Sequence, residues 1–355
     1  MQYGLIGLKL GHSWSVPIHA RLGGYDYRLY ERTEQEFVDL LKARDFRGLN
    51  VTIPYKRLAY ELCDSLSDTA REVGCVNTLL VRPDGTLYGH NTDIGGFIAM
   101  ARRAGVEVAG KKVAVLGSGG TSMTARAACA RMGARAVVVV SRRGPVDYDA
   151  LYRDHADAQV LVNTTPGGKY PNNGARAVDL ARLPVVEGAL YVIYNPDKTA
   201  LILDAEARGL PCAGGLYMLV GQAREAAEVF LGRSIPDTET DRIYRELRGE
   251  MLNLILIGMP GCGKSSVGEA LARDMDRPFA SLDDEIEARA GVSIPEIFAR
   301  GGEAAFRDIE SQVVQDVCRE KGMVIATGGG AILRSENVRA MRQNGRVILR
   351  SEERR

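Results

Sequence analysis

The chain has 355 residues, of which 45% are hydrophobic and 26% are charged, a composition typical of a globular protein. The formal net charge of +1 gives no electrostatic reason to expect nucleic acid or a membrane surface as a partner. No apolar run approaches the roughly 18 residues needed to cross a bilayer, and the N-terminus lacks the pattern of a signal peptide. The six cysteines are scattered, which disfavours a disulfide framework or a zinc site. We therefore expect a cytoplasmic α/β protein of two or three domains.

Short apolar strands alternate with longer helical stretches, the pattern of parallel sheets covered by helices. The first part begins with the strand YGLIG, followed by the helix PIHARLG and the strands YDYRLYE and GLNVTI. CVNTLLV and TLYGHNTD predict a hairpin across the turn RPDG. We predict a first domain over residues 1–96, completed by a helix at about residues 215–234.

The second part, residues 97–214, predicts a Rossmann-like domain. Its helix GGFIAMARRAG leads into a strand, a glycine turn, a helix and a second strand, KKVAVLGSGGTSMTARAACARMGARAVVVV. Residues 235–250 are polar and carry mixed charges, which predicts a terminal helix plus a linker. The apolar strand NLILIG then opens a third α/β unit over residues 251–355.

A glycine turn stands between the strand that ends at Leu116 and the following helix. Glycines let the backbone approach a pyrophosphate, and the helix N-terminus presents free N–H groups to it. The spacing is G-x-G-G rather than G-x-G-x-x-G, so a tight turn without a ligand is the alternative. The predicted cofactor contacts in this turn are Gly117, Ser118, Gly119, Gly120 and Thr121.

The end of the next strand bears on which dinucleotide would bind. An NAD site uses an acidic residue there for the ribose hydroxyls, whereas arginine accommodates a 2′-phosphate. This chain places Ser141, Arg142 and Arg143 at that point and no acid. Guanidinium groups match phosphate well, so the sequence favours NADP over NAD, with an ordinary exposed loop as the alternative.

Two charged residues stand in contexts that favour chemistry. Lys56 ends NVTIPYK, among apolar and aromatic residues, and Asp93 lies between a strand and a helix in GHNTDIGG. A lysine shielded from water can have its pKa lowered from about 10.4 towards neutrality, which suits acid–base work. We expect this for Lys56, with Asp93 orienting it; the alternative is that each is a surface charge.

Several motifs, in order over about residues 1–236, resemble the shikimate dehydrogenase family. They are GHSWS, NVTIPYK, CVNTL, HNTD, NTTPGG, YVIYNPDKT and GLYMLVGQA. The resemblance implies that Lys56 and Asp93 are catalytic. It implies that the substrate ligands are Ser13, Ser15, Thr52, Asn77, Tyr194 and Gln222. It implies further cofactor contacts from Asn163, Thr164, Thr165 and Gly215.

The activity implied by this resemblance is the reversible NADPH-dependent reduction of 3-dehydroshikimate to shikimate, a step of aromatic amino-acid and chorismate biosynthesis. Lys56 would protonate or hydrogen-bond the developing alkoxide. The chain departs from the family pattern where Val16 follows the second serine, where Tyr191 replaces a common Asp, and where Gly168 replaces a usual methionine.

The segment GMPGCGKSS fits G-x-x-x-x-G-K-[ST] without a gap, between an apolar strand and an amphipathic helix. Such a loop surrounds phosphates with backbone N–H groups, places its lysine on phosphate oxygens and its serine on Mg²⁺. Ser265 is the expected magnesium ligand, and a loop that binds nothing is the alternative. The predicted ATP-binding residues are Gly258, Gly261, Gly263, Lys264, Ser265 and Ser266.

The residues after this loop resemble shikimate kinase. SLDDEIEARAGVSIPEIFARGGEAAFRDIE and TGGGAI are similar to that family's substrate segments. The resemblance implies shikimate contacts from Asp283, Arg307, Gly328, Gly329 and Gly330. Ser281 stands where the family generally has a second Asp. The family's lid and adenine loop come later than the sequence given, so we expect a partial kinase-like domain that does not transfer phosphate alone.

The leading interpretation is a shikimate dehydrogenase joined to a partial shikimate kinase, whose substrate is the product of the first reaction. One alternative is a quinate/shikimate dehydrogenase that uses NAD. Another is a fully bifunctional enzyme, if the chain is part of a longer protein. A further alternative is a regulatory module that binds a nucleotide and whose N-terminal part is catalytically inactive. Such a module would be expected to lack Lys56 or Asp93, and both residues are present. Nucleic-acid binding is disfavoured by the charge balance, and the sequence defines no oligomeric state.

Overall fold

The computed structural model describes residues 2–11 and 13–351, so the last charged residues of the predicted third unit lie outside the described part. The chain divides into two compact units. The first comprises the chain up to Thr165 together with Val178–Val192 and Gly209–Arg245. The second comprises Pro166–Ala177, Ile193–Arg208 and the chain from Glu246 onward. No helix in the described residues is long and apolar enough to cross a bilayer.

The first unit begins with a mixed six-stranded sheet in the order β2-β1-β3-β5-β6-β4. Its strands are β1 Tyr3–Gly7, β2 Tyr27–Glu31, β3 Gly48–Val51, β4 Ser65–Leu66, β5 Thr78–Val81 and β6 Leu87–His90. Its helices are α1 Ser15–Gly23, α2 Glu34–Ala43, α3 Lys56–Leu62 and α4 Asp68–Val73. The predicted hairpin is confirmed, because β5 and β6 pair antiparallel.

Packing beneath this sheet fixes the start of α3. Helix α2 begins with a capping box in which Thr33 accepts from the backbone of Glu36 and Glu36 accepts from that of Thr33. It buries Phe37, whose ring stacks on Tyr55 with centroids 4.7 Å apart. Because Tyr55 is buried and directly precedes α3, the backbone at Lys56 is held against the core of this part of the unit.

A second sheet of the first unit is wholly parallel, in the order β11-β10-β9-β7-β8. Its strands are β7 Lys112–Leu116, β8 Ala136–Val140, β9 Val160–Asn163, β10 Gly188–Tyr191 and β11 Cys212–Ala213. The helices are α5 Asp93–Arg103, α6 Gly120–Arg131, α7 Tyr148–Asp154 and, after α8 Ala200–Ala207 of the second unit, α9 Leu216–Leu231. The strand order reverses beside β7, and ligands of such sheets bind at that point. The predicted Rossmann-like fold is confirmed.

Helices α5 and α9 pack unusually closely because both carry glycine at the contact. A Cβ at Gly96 would lie 2.6 Å from the Met218 carbonyl oxygen and 2.9 Å from the Gln222 backbone nitrogen. Gly221 faces Gly96 from the other helix, with 3.3 Å between its added Cβ and the Gly96 Cα. This close approach fixes Gln222 relative to the start of α5, where Asp93 lies.

The second unit contains a four-stranded parallel sheet in the order β13-β14-β12-β15. Its strands are β12 Asn253–Ile257, β13 Phe279–Ser281, β14 Val324–Ala326 and β15 Gly345–Leu349. The helices after α9 are α10 Asp237–Met251, α11 Lys264–Asp274, α12 Leu282–Ala290, α13 Ile294–Val317 and α14 Ser335–Asn344. Two short 3₁₀ helices cover Leu180–Arg182 and Ala331–Leu333. The segment predicted as helix plus linker is one helix, α10.

Replacing Gly96 by alanine should lower the free energy of unfolding by about 1–3 kcal/mol, because the added methyl group collides with the α9 backbone. Chemical denaturation measures this change. Gly249→Ala in α10 is the matched control, since nothing lies within 4 Å of its added Cβ, and helix propensity predicts a small gain. Equal stability of Gly96→Ala and the unaltered chain would contradict the packing described.

Candidate functional site

The centre of the candidate site in the first unit is an ion pair between Lys56 and Asp93. Lys56 is the first residue of α3, and Asp93 is the first residue of α5. The Lys56 Nζ donates to Asp93 Oδ2 at 2.7 Å. The Asp93 side chain is 10% exposed and that of Lys56 is 30% exposed, so the pair is shielded yet open to a ligand from one side.

The pKa of Lys56 is higher than its usual value. Burial acts to lower this pKa, but the charge of Asp93 and its hydrogen bond act in the opposite direction and prevail. The expectation of a lowered pKa is therefore wrong for this pair. Lys56 stays a cation through neutral pH, and the arrangement is that of a proton donor held by a carboxylate.

A network of buried amides positions Asp93. Asn77 Oδ1 accepts from the Thr92 backbone at 2.9 Å, and Asn77 Nδ2 donates to Thr92 Oγ1 at 3.0 Å. Asn91 Oδ1 accepts from the Asp93 backbone at 3.0 Å, while its Nδ2 donates to the Cys75 carbonyl at 3.1 Å. Asn77 and Asp93 were predicted from the sequence but Asn91 was not, although its place in a polar run directly after a strand was an available signal.

A hydrogen bond ties the same loop to α9. His90 Nε2 lies 2.8 Å from Glu225 Oε1, with both side chains largely buried. His90 ends β6, one residue before Asn91. This contact was not predicted from the sequence, because the two residues are 135 positions apart and nothing in the HNTD motif, which His90 begins, indicates a partner on α9.

The other predicted substrate ligands of the first unit lie in short polar segments. Ser13 Oγ donates to Ser15 Oγ at 3.1 Å and accepts from the Ser15 backbone at 3.2 Å, just before α1. Thr52 follows β3, and its carbonyl accepts from Tyr55 at 3.0 Å in the turn that leads to Lys56. Gln222 lies on α9 beside Gly96. Their roles towards a substrate stay predictions.

The predicted dinucleotide turn lies at the carboxyl end of β7 and leads into α6. Gly117 has φ of 105°, and a Cβ there would lie 2.8 Å from Thr164 Oγ1, so this position requires glycine. Nothing lies within 4 Å of a Cβ added at Gly119 or Gly120. Ser118 and Thr121 flank this open space in the chain. The first turn of α6 carries no acidic residue, so its N-terminus suits an anion.

Asn163, at the end of β9, has a side-chain nitrogen that is available to a ligand. Its Oδ1 accepts from the Thr165 backbone at 2.9 Å and from Thr165 Oγ1 at 2.8 Å. Its Nδ2 is buried and has no partner among the described residues, which is costly unless a bound group accepts from it. Thr164 donates to the Leu116 carbonyl at 2.7 Å, and Gly215 precedes α9. These features fit a dinucleotide.

The strand end that was predicted to select the cofactor presents two exposed arginines. Ser141 is buried, and Arg142 and Arg143 are exposed. The nearest downstream acid, Asp147, caps α7 by accepting from the Ala150 backbone at 2.8 Å. That carboxylate is therefore occupied by the helix N-terminus rather than offered to a ribose.

Two predicted features of the dehydrogenase part fall in the second unit. Tyr194 is partly buried, and burial raises its pKa. Gly168 lies in Pro166–Ala177, with φ of 88°. Their predicted relation to substrate and nicotinamide remains a prediction.

The P-loop of the second unit follows β12 and leads into α11. Lys264 is buried, and its Nζ donates to the Gly258 carbonyl at 2.9 Å and the Met259 carbonyl at 2.8 Å. Ser265 and Ser266 are exposed. The remaining predicted positions, Gly261 and Gly263, both have positive φ. The loop thus curls around its own lysine at the carboxyl end of the sheet.

The residues predicted to bind a kinase substrate come together beside this loop. A Cβ built on Gly328 would lie 2.8 Å from Asp283 Oδ1, one on Gly329 would lie 2.7 Å from Pro260, and one on Gly330 would meet the Arg307 guanidinium. Burial raises the pKa of Asp283, while the charge of Lys264 opposes that shift.

Arg307 is held by a glutamate that was not predicted from the sequence. Its Nη1 donates to Glu310 Oε2 at 2.8 Å, and Glu310 is 1% exposed. This hydrogen bond raises the pKa of Arg307. Ser281, where the family generally has an acid, caps α12 through its hydroxyl. The spacing of Arg307 and Glu310 on one helix was the signal available in the sequence.

A Rossmann-like sheet with an open glycine turn, in the same unit as a lysine–carboxylate pair, defines the class of nicotinamide-dependent oxidoreductases. Residues 5–79 match the family model "Shikimate dehydrogenase substrate binding domain", and residues 260–352 match "Shikimate kinase". A shikimate dehydrogenase (NADP(+)) of Clostridium perfringens (strain SM101 / Type A) is 35% identical over 270 residues, which cover 69% of this chain and 98% of the relative.

Solved structures agree with this assignment. A chorismate mutase/shikimate 5-dehydrogenase fusion protein from Clostridium acetobutylicum has a TM-score of 0.65 and 35% identity, covering 69% of this chain and 96% of that one. A shikimate 5-dehydrogenase from Thermus thermophilus in complex with NADP(H) and shikimate has a TM-score of 0.61 and 27% identity, covering 69% and 99%. The chain belongs to the shikimate dehydrogenase family and carries a C-terminal segment that matches shikimate kinase.

Replacing Asp93 by asparagine should bring the pKa of Lys56 below its usual value, because burial then acts without the opposing carboxylate. Competitive acetylation of lysine amines across the alkaline range, read by mass spectrometry, measures this pKa. Asp39→Asn, an exposed position on α2, is the matched control. An unchanged labelling profile of Lys56 in Asp93→Asn would contradict the electrostatic account.

Proposed function

We propose that the chain catalyses the NADP-dependent interconversion of 3-dehydroshikimate and shikimate. The observation that carries the proposal is the Lys56–Asp93 hydrogen bond of 2.7 Å, in motifs of the family to which the chain belongs. The curated relative is named for this activity with NADP(+), and the Thermus thermophilus structure holds NADP(H) and shikimate. These observations support NADP-dependent oxidation and reduction at the Lys56–Asp93 site in the N-terminal part of the chain.

The residues of the pair divide the proton chemistry between them. In the reductive direction Lys56 Nζ donates a hydrogen bond to the ketone oxygen and transfers its proton as that oxygen becomes an alkoxide. Asp93 accepts from the ammonium group and fixes its direction. In the oxidative direction Lys56 first releases a proton to solvent, and its neutral amine then accepts the proton of the substrate hydroxyl. The bound nicotinamide cofactor supplies or accepts the hydride.

Small polar side chains would orient the ring in this scheme. Ser13, Ser15 and Thr52 offer hydroxyl groups, which pair with substrate hydroxyls and with a carboxylate. Tyr194 and Gln222 would add a phenol and an amide. Asn77 Oδ1 accepts from the Thr92 backbone and from Thr78 Oγ1, and its Nδ2 donates to Thr92 Oγ1. Its contribution is therefore first to place Asp93 and then to contact substrate with the second N–H of its amide.

The cofactor preference is proposed to come from the end of β8. Arg142 and Arg143 are exposed there and can pair with a ribose 2′-phosphate. Asp147, the acid that would otherwise compete for the arginines, is bound to the α7 N-terminus. Ser141 and the open turn from Gly117 to Thr121 would hold the adenosine ribose and the pyrophosphate.

Lys56→Ala should lower kcat for shikimate oxidation by about 10²–10⁴, because the general acid–base group is lost. KM for shikimate should change by less than about threefold, since the hydroxyl ligands remain. The assay follows NADP reduction by absorbance. Lys42→Ala, an exposed lysine of α2, serves as the control. Near-normal turnover in Lys56→Ala would refute the role.

Replacing Arg142 and Arg143 together by alanine should raise KM for NADP about ten- to hundredfold, matching about 1.5–3 kcal/mol from hydrogen bonds to charged groups. KM for NAD should stay near its starting value, because NAD lacks the 2′-phosphate. Arg153→Ala, an exposed arginine of α7, is the matched control. An unaltered ratio of the two KM values would favour the alternative of an NAD-using quinate/shikimate dehydrogenase.

We also propose that the P-loop of the second unit binds ATP with magnesium. Lys264 lies at the start of α11 and faces the loop carbonyls that a phosphate would replace. Ser265 offers an exposed hydroxyl as a magnesium ligand. Asp283 and Arg307 come together with the glycine run beside this loop, which suits a polyhydroxylated carboxylate substrate.

Lys264→Ala should weaken ATP binding at least about tenfold, since one charge-assisted contact to phosphate is worth about 1.5–3 kcal/mol. Isothermal titration with ATP and Mg²⁺ measures the affinity, and thermal unfolding checks the fold. Arg273→Ala, exposed near the end of the same helix, is the control. Equal affinities for ATP in both variants would contradict the assignment. A separate assay of shikimate 3-phosphate tests phosphoryl transfer.

A further inference from the structure

The carboxyl end of α14 holds two segments that precede the kinase-like sheet in the chain. Within the second unit, α14 packs against α8 and against the segments Pro166–Ala177 and Ile193–Arg208. The last two residues of α14, Gln343 and Asn344, are 1% and 4% exposed. Polar side chains buried to this degree destabilise the fold unless their hydrogen-bonding groups find partners.

Gln343 makes a two-way amide pair with the first segment. Its Nε2 donates to the Asn173 carbonyl at 2.7 Å, and its Oε1 accepts from Asn173 Nδ2. Its own carbonyl accepts from the Lys198 backbone at 2.9 Å, in the second segment. One residue thus engages both segments through side chain and backbone.

Asn344 repeats this bridging with different partners. Its Oδ1 accepts from the Asp197 backbone at 2.9 Å, and its Nδ2 donates to Tyr170 Oη at 2.9 Å. Burial raises the pKa of Tyr170, so its hydroxyl stays neutral and keeps this bond. Asn344 therefore also contacts each segment once, through the two ends of one amide.

Ion pairs surround these amides. The Asp197 carboxylate pairs with Arg248 of α10 at 3.0 Å, and Lys198 pairs with Glu206 of α8 at 2.7 Å. Arg339 lies 3.5 Å from Asp204. Partly exposed pairs contribute little by themselves, so the buried amides carry the specificity of the contact.

The two held segments carry residues that the family resemblance predicts to contact nicotinamide and substrate. Pro166–Ala177 continues the NTTPGG motif directly after Thr165, and Ile193–Arg208 contains Tyr194, three residues before Asp197. Loops that position a substrate lose catalytic power when they shift by as little as about 1 Å. Fixing both segments on one helix end restricts that freedom.

We propose that Gln343 and Asn344 are positioning residues for the dehydrogenase reaction, so that the kinase-like part of the chain holds the loops carrying Gly168 and Tyr194. This inference rests on the proposed function for its catalytic consequence, but not for the contact itself. It gives the C-terminal part a role in the first reaction that needs no phosphoryl transfer.

Hydrogen exchange of the full chain tests the contact directly. The Asp197 amide donates to Asn344 Oδ1 and so reports on that side chain, whereas the Lys198 amide donates to the Gln343 backbone carbonyl, which an alanine keeps. Gln343→Ala should speed exchange in residues 166–177, and Asn344→Ala should speed exchange both there and at Asp197, each at least about tenfold. Glu336→Ala, exposed on the same helix, should leave both segments unchanged. Protection that survives in both Gln343→Ala and Asn344→Ala would overturn the proposal.

A second variant separates the two segments. Tyr170→Phe removes only the hydroxyl that Asn344 contacts and keeps the ring, so it does not open a cavity. Exchange should rise in residues 166–177 while the Asp197 amide stays protected by Asn344 Oδ1. An equal rise in both segments would show general loosening instead of the specific bridge, and would count against the proposal.

Kinetics of the same variants test the catalytic consequence. Gln343→Ala and Asn344→Ala should raise KM for NADP or shikimate about three- to tenfold with kcat changed by less than about twofold, because the proton donor is untouched. Faster exchange with unchanged KM would overturn the positioning role. Failure of the unaltered chain to reduce NADP with shikimate would refute the proposed function instead, and exchange would still decide the contact.

Discussion

An ammonium group and a carboxylate, contributed by two distant segments, are held 2.7 Å apart at the starts of α3 and α5. The rest of the first unit maintains this distance. The stacked rings of Phe37 and Tyr55 fix one helix start, and the amides of Asn77 and Asn91 fix the other. Because burial alone would favour neutral Lys56, its charged form depends on the carboxylate beside it.

The other candidate sites all lie at the carboxyl ends of parallel strands. The glycine turn follows β7, Asn163 ends β9, the P-loop follows β12 and Asp283 follows β13. The carboxyl ends of parallel strands meet at one edge of a sheet, so residues far apart in sequence converge there. Each unit thereby brings a glycine-rich turn and polar side chains together at one sheet edge, and the family model of shikimate kinase matches the second of these regions.

Local patterns were sufficient to predict the hairpin, the Rossmann-like order of elements and the P-loop. They failed where the outcome depends on a partner far along the chain. The pKa direction of Lys56 depends on Asp93, 37 positions away, and His90 gains Glu225 at 135 positions. Gln343 and Asn344 resemble an ordinary polar helix end, because partners about 170 positions distant leave no trace in local periodicity.

A double-mutant cycle on Lys56 and Asp93 tests the central claim most directly. The quantity measured is kcat/KM for shikimate oxidation with NADP in Lys56→Met, Asp93→Asn and the double variant. If the two groups act as a unit, the double variant should lose about as much as Lys56→Met alone. If the loss in the double variant equals the sum of the two single-variant losses, expressed as activation free energies, the residues act independently. That result would contradict the account.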